Sequence, residues 1–253
     1  MIRAVALFAA VLAVPAQDDT PNPFRPFDRE AFVKAIQAAG ATDAQVQRFH
    51  AQAAEESAGA AAEELLRAVF PKYAAALAEL EGADPRGVLS LAALIAESQQ
   101  PHVRAHARYW LGRAFLDVDD PEGAVEVFTE YLRHDRNVSP FDGEVVFFYG
   151  SALARVPERE AAAGVLREFV QLFPDAPERY RASAAQLIAE LESKINPLHE
   201  IADTMGGVER RIRKTDTGEE TQRRQEDVIA KLQKIIEQVE EMEKQSSGGG
   251  GGN

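Results

Sequence analysis

The sequence predicts an all-α fold: a short α-solenoid of stacked helix pairs over residues 28–195, then a linker over 196–218 and a separate C-terminal amphipathic helix over 219–244. Three observations predict it. Residues 105–136 (AHARYWLGRAFLDVDDPEGAVEVFTEYLRHDR) and 143–174 (GEVVFFYGSALARVPEREAAAGVLREFVQLFP) form two successive helix–turn–helix units in register. In the first, Gly112 is followed by Phe115, Ala124 and Phe128; in the second, Gly150 is followed by Leu153, Ala162 and Leu166, at the same intervals of three, twelve and sixteen residues. A small residue on each helix lets a pair approach closely, and a large apolar side chain fills the groove between them. Such a pair cannot bury its apolar face alone and must stack on neighbours. The third observation lies in the tail, where Val228, Leu232, Ile235, Val239 and Met242 recur at intervals of 4, 3, 4 and 3, the spacing of a coiled-coil seam.

Taken in order, Met1–Ala16 reads as a secretory signal peptide: Arg3 gives a basic start, Ala4–Val14 is an apolar run, and small residues precede Gln17-Asp18-Asp19. The run is too short to span a bilayer, which takes about 20 residues. The expectation is export to a bacterial envelope compartment, with no stable membrane span after cleavage. Residues 17–27 form a proline-rich leader, expected to be extended or disordered because each proline disfavours helix before itself. Asp28 is placed to cap a first helix that carries Phe32 and Ile36 on one face and ends at Gly40; Thr42 is placed to cap the next. Pro71 should kink or split the apolar run from Ala60 to Leu80. Pro85 fits the first turn of a further helix that closes at Pro101. Residues 62–100 read as a degenerate earlier repeat, and 176–195 as a capping helix. Gly206-Gly207 and Thr215–Gly218 break the linker, with at most a short helix from Pro197 to Met205. In the tail, Ile229 and Ile236 widen the seam. Three roles stay open for that helix: self-association into a homo-oligomer through residues 219–244, packing back on the repeat body, or docking a partner's helix. Residues 245–253 read as a flexible Gly/Ser tail.

Through Leu111, Gly112, Phe115, Ala124 and Phe128, then Gly150, Ala162, Leu166 and Pro174, the chain resembles the tetratricopeptide repeat family. The 38 residues from Gly112 to Gly150 exceed that family's period of about 34, so extra residues fall in the 137–141 connection. Arg108 stands where the repeat usually begins with an aromatic, with Tyr109 and Trp110 just after it. The order of parts is also similar to exported repeat proteins of planctomycete-like bacteria, through HARYWLGRAFL, PDAPERYR and TGEETQRRQEDVIAKLQKII. It is loosely similar to the periplasmic Tol–Pal accessory protein, in which the coiled coil comes first rather than last. What these resemblances imply is an envelope location and a role in protein binding.

Composition narrows the function. The net charge of −13 (28 basic against 41 acidic residues) argues against nucleic acid as the main partner. The chain has no cysteine, which excludes disulfides, thiolate catalysis and Cys-ligated zinc within it. No Gly-rich phosphate loop, GxSxG elbow or HExxH pair is present. No cofactor is called for, and the chain reads as non-enzymatic.

The first helix of each repeat should line the concave surface. That places His106, Tyr109 and Arg113 of the first unit beside Phe147, Ser151 and Arg155 of the second. Aromatic rings with two guanidinium groups suit an extended or helical peptide bearing acidic groups; the alternative is that all six are ordinary half-buried residues. His102 and His106, four apart, share a helix face, but no third metal ligand is evident. Asp117, Asp119, Asp120 and Glu122 crowd one turn, where Pro121 interrupts any calcium-loop pattern. Trp110 reads as core, and Asn137-Val138-Ser139 is a glycosylation sequon by pattern only. The function expected from these residues is an exported protein–protein scaffold, or alternatively a structural subunit of an envelope complex.

Overall fold

From residue 43 to residue 192 each helix packs on the next. The computed structural model describes residues 22–156, 158–193 and 197–247; the expected signal peptide and the end of the Gly/Ser tail lie outside them. Among the described residues there are twelve helices and no strand: α1 (Arg29–Ala38), α2 (Asp43–Glu55), α3 (Ala58–Val69), α4 (Pro71–Glu81), α5 (Arg86–Glu97), α6 (Pro101–Asp117), α7 (Pro121–His134), α8 (Asp142–Ala154), α9 (Arg159–Leu172), α10 (Glu178–Glu192), α11 (Pro197–Arg213) and α12 (Glu219–Ser247). Consecutive helices pair from α2 through α10. In addition α4 meets α6, α6 meets α8, and α8 meets α10. Helices α4, α6, α8 and α10 therefore form one layer of an α-solenoid, with α5, α7 and α9 behind them.

Local chemistry sets the helix ends. The Asp28 carboxylate accepts from Ala31 N at 2.9 Å, Thr42 and Gln45 form a reciprocal capping box, and Ser57 accepts from Ala60 N. Pro71, Pro101 and Pro121 each occupy the first turn of a helix, where a missing N–H costs nothing. The split expected at Pro71 falls at Phe70, which ends α3 and begins α4.

Two cores result, and α6 is the wall between them. Val103, Ala107 and Leu111 face the core of α1–α5, while Ala105 and Tyr109 face the core of α7–α10. Both predicted glycine positions carry close approaches. A Cβ on Gly112 would lie 2.5 Å from the Phe128 ring, and one on Gly150 would lie 2.8 Å from Leu166.

Two expectations are corrected, and a third is sharpened. The segment taken as a linker is mostly helix: α11 runs unbroken through Gly206-Gly207. A glycine inside a helix costs only about 1 kcal/mol, and Ile201, Thr204 and Val208 are buried on α11's inner face. The tail helix packs along α11 rather than on the repeat body, and it continues through Ser247 into the stretch read as flexible. The described part of the leader is extended but anchored. Phe24 is buried with its ring 4.9 Å from that of Phe173, and Asn22 donates to Leu172 O.

Asn137 grips that leader by its backbone. Its amide oxygen accepts from Arg25 N at 2.8 Å and its amide nitrogen donates to Pro23 O at 3.1 Å. Asn137 itself sits at φ +67°, a conformation asparagine tolerates better than most residues. Asn137→Gly keeps that backbone shape and removes the clamp. Amide exchange at Arg25 is expected to accelerate by about tenfold or more, with protection in α6 and α8 unchanged; hydrogen-exchange mass spectrometry or NMR reads both.

Candidate interaction surface

The open face of the α4, α6, α8 and α10 layer is built one residue away from where the repeat spacing placed it. Of the six groove residues, His106, Tyr109 and Phe147 are core, at 0%, 2% and 7% exposure. Arg113 and Ser151 are half-buried and Arg155 is exposed. The reason is crowding. A helix in the middle of the layer touches one behind it and one on each side, so α6 and α8 bury side chains around most of their circumference. Spacing identifies a stripe on a helix but not which stripe is left open.

The partly open stripe consists of Trp110 and Arg113 on α6, Glu144 and Phe148 on α8, and Tyr180 on α10. The Arg113 guanidinium lies 4.5 Å from the Phe148 ring centroid and 5.7 Å from each of the Tyr109 and Trp110 rings. Each aromatic face attracts the cation. Phe148 meets Tyr180 edge-on at 5.6 Å, which carries the aromatic surface across to α10. Arg113 donates to the Tyr109 hydroxyl at 2.9 Å, and that hydroxyl donates to Glu144 at 2.5 Å; Tyr180 donates to the same carboxylate at 3.3 Å. Burial and the adjacent Glu144 charge push the Tyr109 phenol far above its usual range, so it stays protonated. Arg113 is thereby held among ring faces, and the rest of its five-donor fork can meet a carboxylate.

Beneath Trp110 lies a polar cluster that the sequence did not announce. Glu63 of α3 accepts from Tyr73 Oη at 2.7 Å, Trp110 Nε1 at 3.0 Å and Arg67 Nε at 2.9 Å, and lies 3.3 Å from His106 Nδ1. Burial alone would raise its pKa. The His106 contact and the Tyr73 and Trp110 donors outweigh burial and bring it down to about 2. His106 packs edge-on against Phe141, and its Nε2 has no hydrogen-bond partner among the described residues.

The remaining sequence candidates resolve into structural contacts. His102 lies 2.7 Å from Val138 O through Nδ1, and no cluster of His, Cys, Asp and Glu among the described residues could hold a metal ion. The acidic turn after α6 receives basic side chains from later helices: Arg155 meets Asp119 at 2.5 Å, Lys214 meets Asp120 at 2.5 Å, and Arg210 meets Glu122 at 3.3 Å. In the sequon, the Asn137 amide is taken by the leader and Ser139 is buried against Tyr131. Of the tail seam, Val228 is buried and Ile235 half-buried, while Leu232, Val239 and Met242 are exposed.

Glu63, Glu144 and Phe148 were missed because each acts through a residue distant in sequence. Only the aromatic doublet Phe147-Phe148 hinted that one ring would remain outside. No helix among the described residues is long and apolar enough to cross a membrane. Comparison of the chain with protein families, with curated proteins and with solved structures finds no match.

Proposed function

We propose that this chain is a non-enzymatic protein-binding scaffold of tetratricopeptide-like repeats, exported to a bacterial envelope compartment such as the periplasm. Its repeat layer holds a protein segment, and its tail assembles copies or docks a further partner. The observation that carries the reading is the Arg113 stripe: a guanidinium within about 6 Å of three ring centroids, continuous through Phe148 with Tyr180. That chemistry fits a peptide pairing an acidic side chain with an apolar or aromatic one. The carboxylate takes the guanidinium fork and the ring extends the stack. Export is supported by the apolar Ala4–Val14 run and the small residues after it.

Trp110 is the only tryptophan in the chain, so its fluorescence reports on the stripe directly. Titration with tryptophan-free peptides that place Asp or Glu one or two residues from Phe is expected to shift its emission saturably. Arg113→Ala should weaken binding by about tenfold to a hundredfold, and Arg113→Lys should recover only part, lacking the planar fork. Saturable binding that is indifferent to Arg113 would place the site elsewhere.

A further inference from the structure

We propose that α11 and α12 form a dimerisation hairpin, and that two copies of the chain join these hairpins face to face as a four-helix bundle. The inference rests on the reading of the tail as an assembly element and replaces the single-helix seam with a two-helix surface.

The hairpin is closed along one seam and bare along another. Between its helices, Ile201, Thr204 and Val208 of α11 and Thr221 and Val228 of α12 are buried. A second strip follows these by one residue or one heptad: Met205 and Ile212 on α11, Ile229 and Ile236 on α12, each between 45% and 56% exposed. On each helix the strip sits roughly 60–80° further round, in the same sense, than the mean direction of the seam. The helices are joined by five residues and lie along one another, hence antiparallel. Antiparallel helices with the same rotational offset carry their strips on the same flank. Four large apolar side chains from two helices therefore form a single face.

That face suits a second copy. It is self-complementary, because a two-fold axis sets each strip against its own equivalent, the geometry of an isologous interface. The repeat body does not cover it. The body holds the hairpin through polar contacts that run along α11 to its turn, Arg159 to Asp203, Arg210 to Glu122 and Lys214 to Asp120. At the other end α12, with 29 residues against 17 in α11, overhangs and leaves Val239 and Met242 open. Together with Leu232, these side chains offer roughly 600 Å² of apolar surface per copy, or about 1,200 Å² for a pair, which reaches the range of stable specific interfaces. An apolar seam three residues wide, rather than two, is also what a bundle needs and a two-stranded coil does not.

The test is the mass of the full chain by light scattering and sedimentation equilibrium at micromolar concentrations, for wild type and three variants. Wild type should be a dimer of 27.7 kDa chains. Ile229→Glu/Ile236→Glu and, separately, Met205→Glu should each weaken dimerisation by about a hundredfold without changing helical content, since all three positions are exposed. Val239→Glu should weaken it too. If Val239→Glu dissociates the dimer and Met205→Glu does not, a coil of α12 alone replaces the bundle and the tail still assembles copies. If wild type is a monomer throughout, both the bundle and self-assembly by the tail fall, while the Arg113 stripe stands or falls on its own titration.

Discussion

Gly112→Val should lower the stability of the repeat body by about 3 kcal/mol or more. The Cβ that any other residue adds would sit 2.5 Å from both Cε1 and Cζ of Phe128. Phe128 is fully buried on α7, so its ring has nowhere to swing. The helices must part, and α6 cannot move without disturbing both cores. Gly112→Ala should already cost about 1–3 kcal/mol, and Phe128→Leu in the same chain should return part of it. Two controls sharpen the argument. Gly150 faces Leu166, a branched aliphatic that can change rotamer, so Gly150→Ala should cost less than Gly112→Ala. Gly164, also within a helix, has nothing within 4 Å of its missing Cβ, so Gly164→Ala should stabilise by about 1 kcal/mol. Urea unfolding of the four single variants gives the order directly. Equal costs at Gly112 and Gly164 would overturn the close-packing account.

Glu63→Ala should cost about 3–5 kcal/mol, the usual consequence of removing one partner from a buried charged network. Tyr73 and Trp110 would lose their acceptor, Arg67 one of its two and His106 its neighbour at once, in a site largely shielded from water. Glu63→Gln keeps shape and two lone pairs but loses the charge, and should cost less. The charge also sets a pH dependence. The carboxyl falls from its ordinary 4.5 to about 2 in the folded chain. Its stabilisation is therefore complete above pH 4.5 and is lost as pH falls towards 2. Asp142 runs the other way. Burial, against the Tyr131 and Asn137 hydrogen bonds, raises it from 3.8 to about 6, so its contribution declines as pH rises through that range. Stability of wild type minus Glu63→Gln, measured from pH 2 to pH 5, isolates the first effect. A flat difference would mean that Glu63 holds no charge advantage in the fold.

The helical register was legible because it depends on neighbours in sequence. Caps at Asp28 and Thr42, prolines in first turns, and matched Gly112 and Gly150 all act within a helix or across one turn. What escaped depends on distance. His106, Tyr109 and Phe147 were assigned to an open groove because their spacing marks a stripe, yet burial is decided by helices on three sides. Glu63 joins Trp110 across 47 residues, and no local pattern announces an acceptor so far away. Gly206-Gly207 looked like a break because glycine has low helix propensity, but the apolar seam with α12 outweighs that penalty. Trp110 was read as core; its indole is half-buried, with one edge on Glu63 and the Arg113 guanidinium near its ring.

The anchored leader imposes an order on folding. Its backbone partner Asn137 lies 112 residues downstream of Arg25, and the Leu172 carbonyl that Asn22 reaches lies 150 residues away. Synthesis delivers the leader first, yet its seat does not exist until the end of α9 has emerged. Helix pairs such as α2–α3 need only nearby chain and can close early. The first described segment is thus the last to find its place. Until then Phe24 is an exposed aromatic, and its burial marks the completed body.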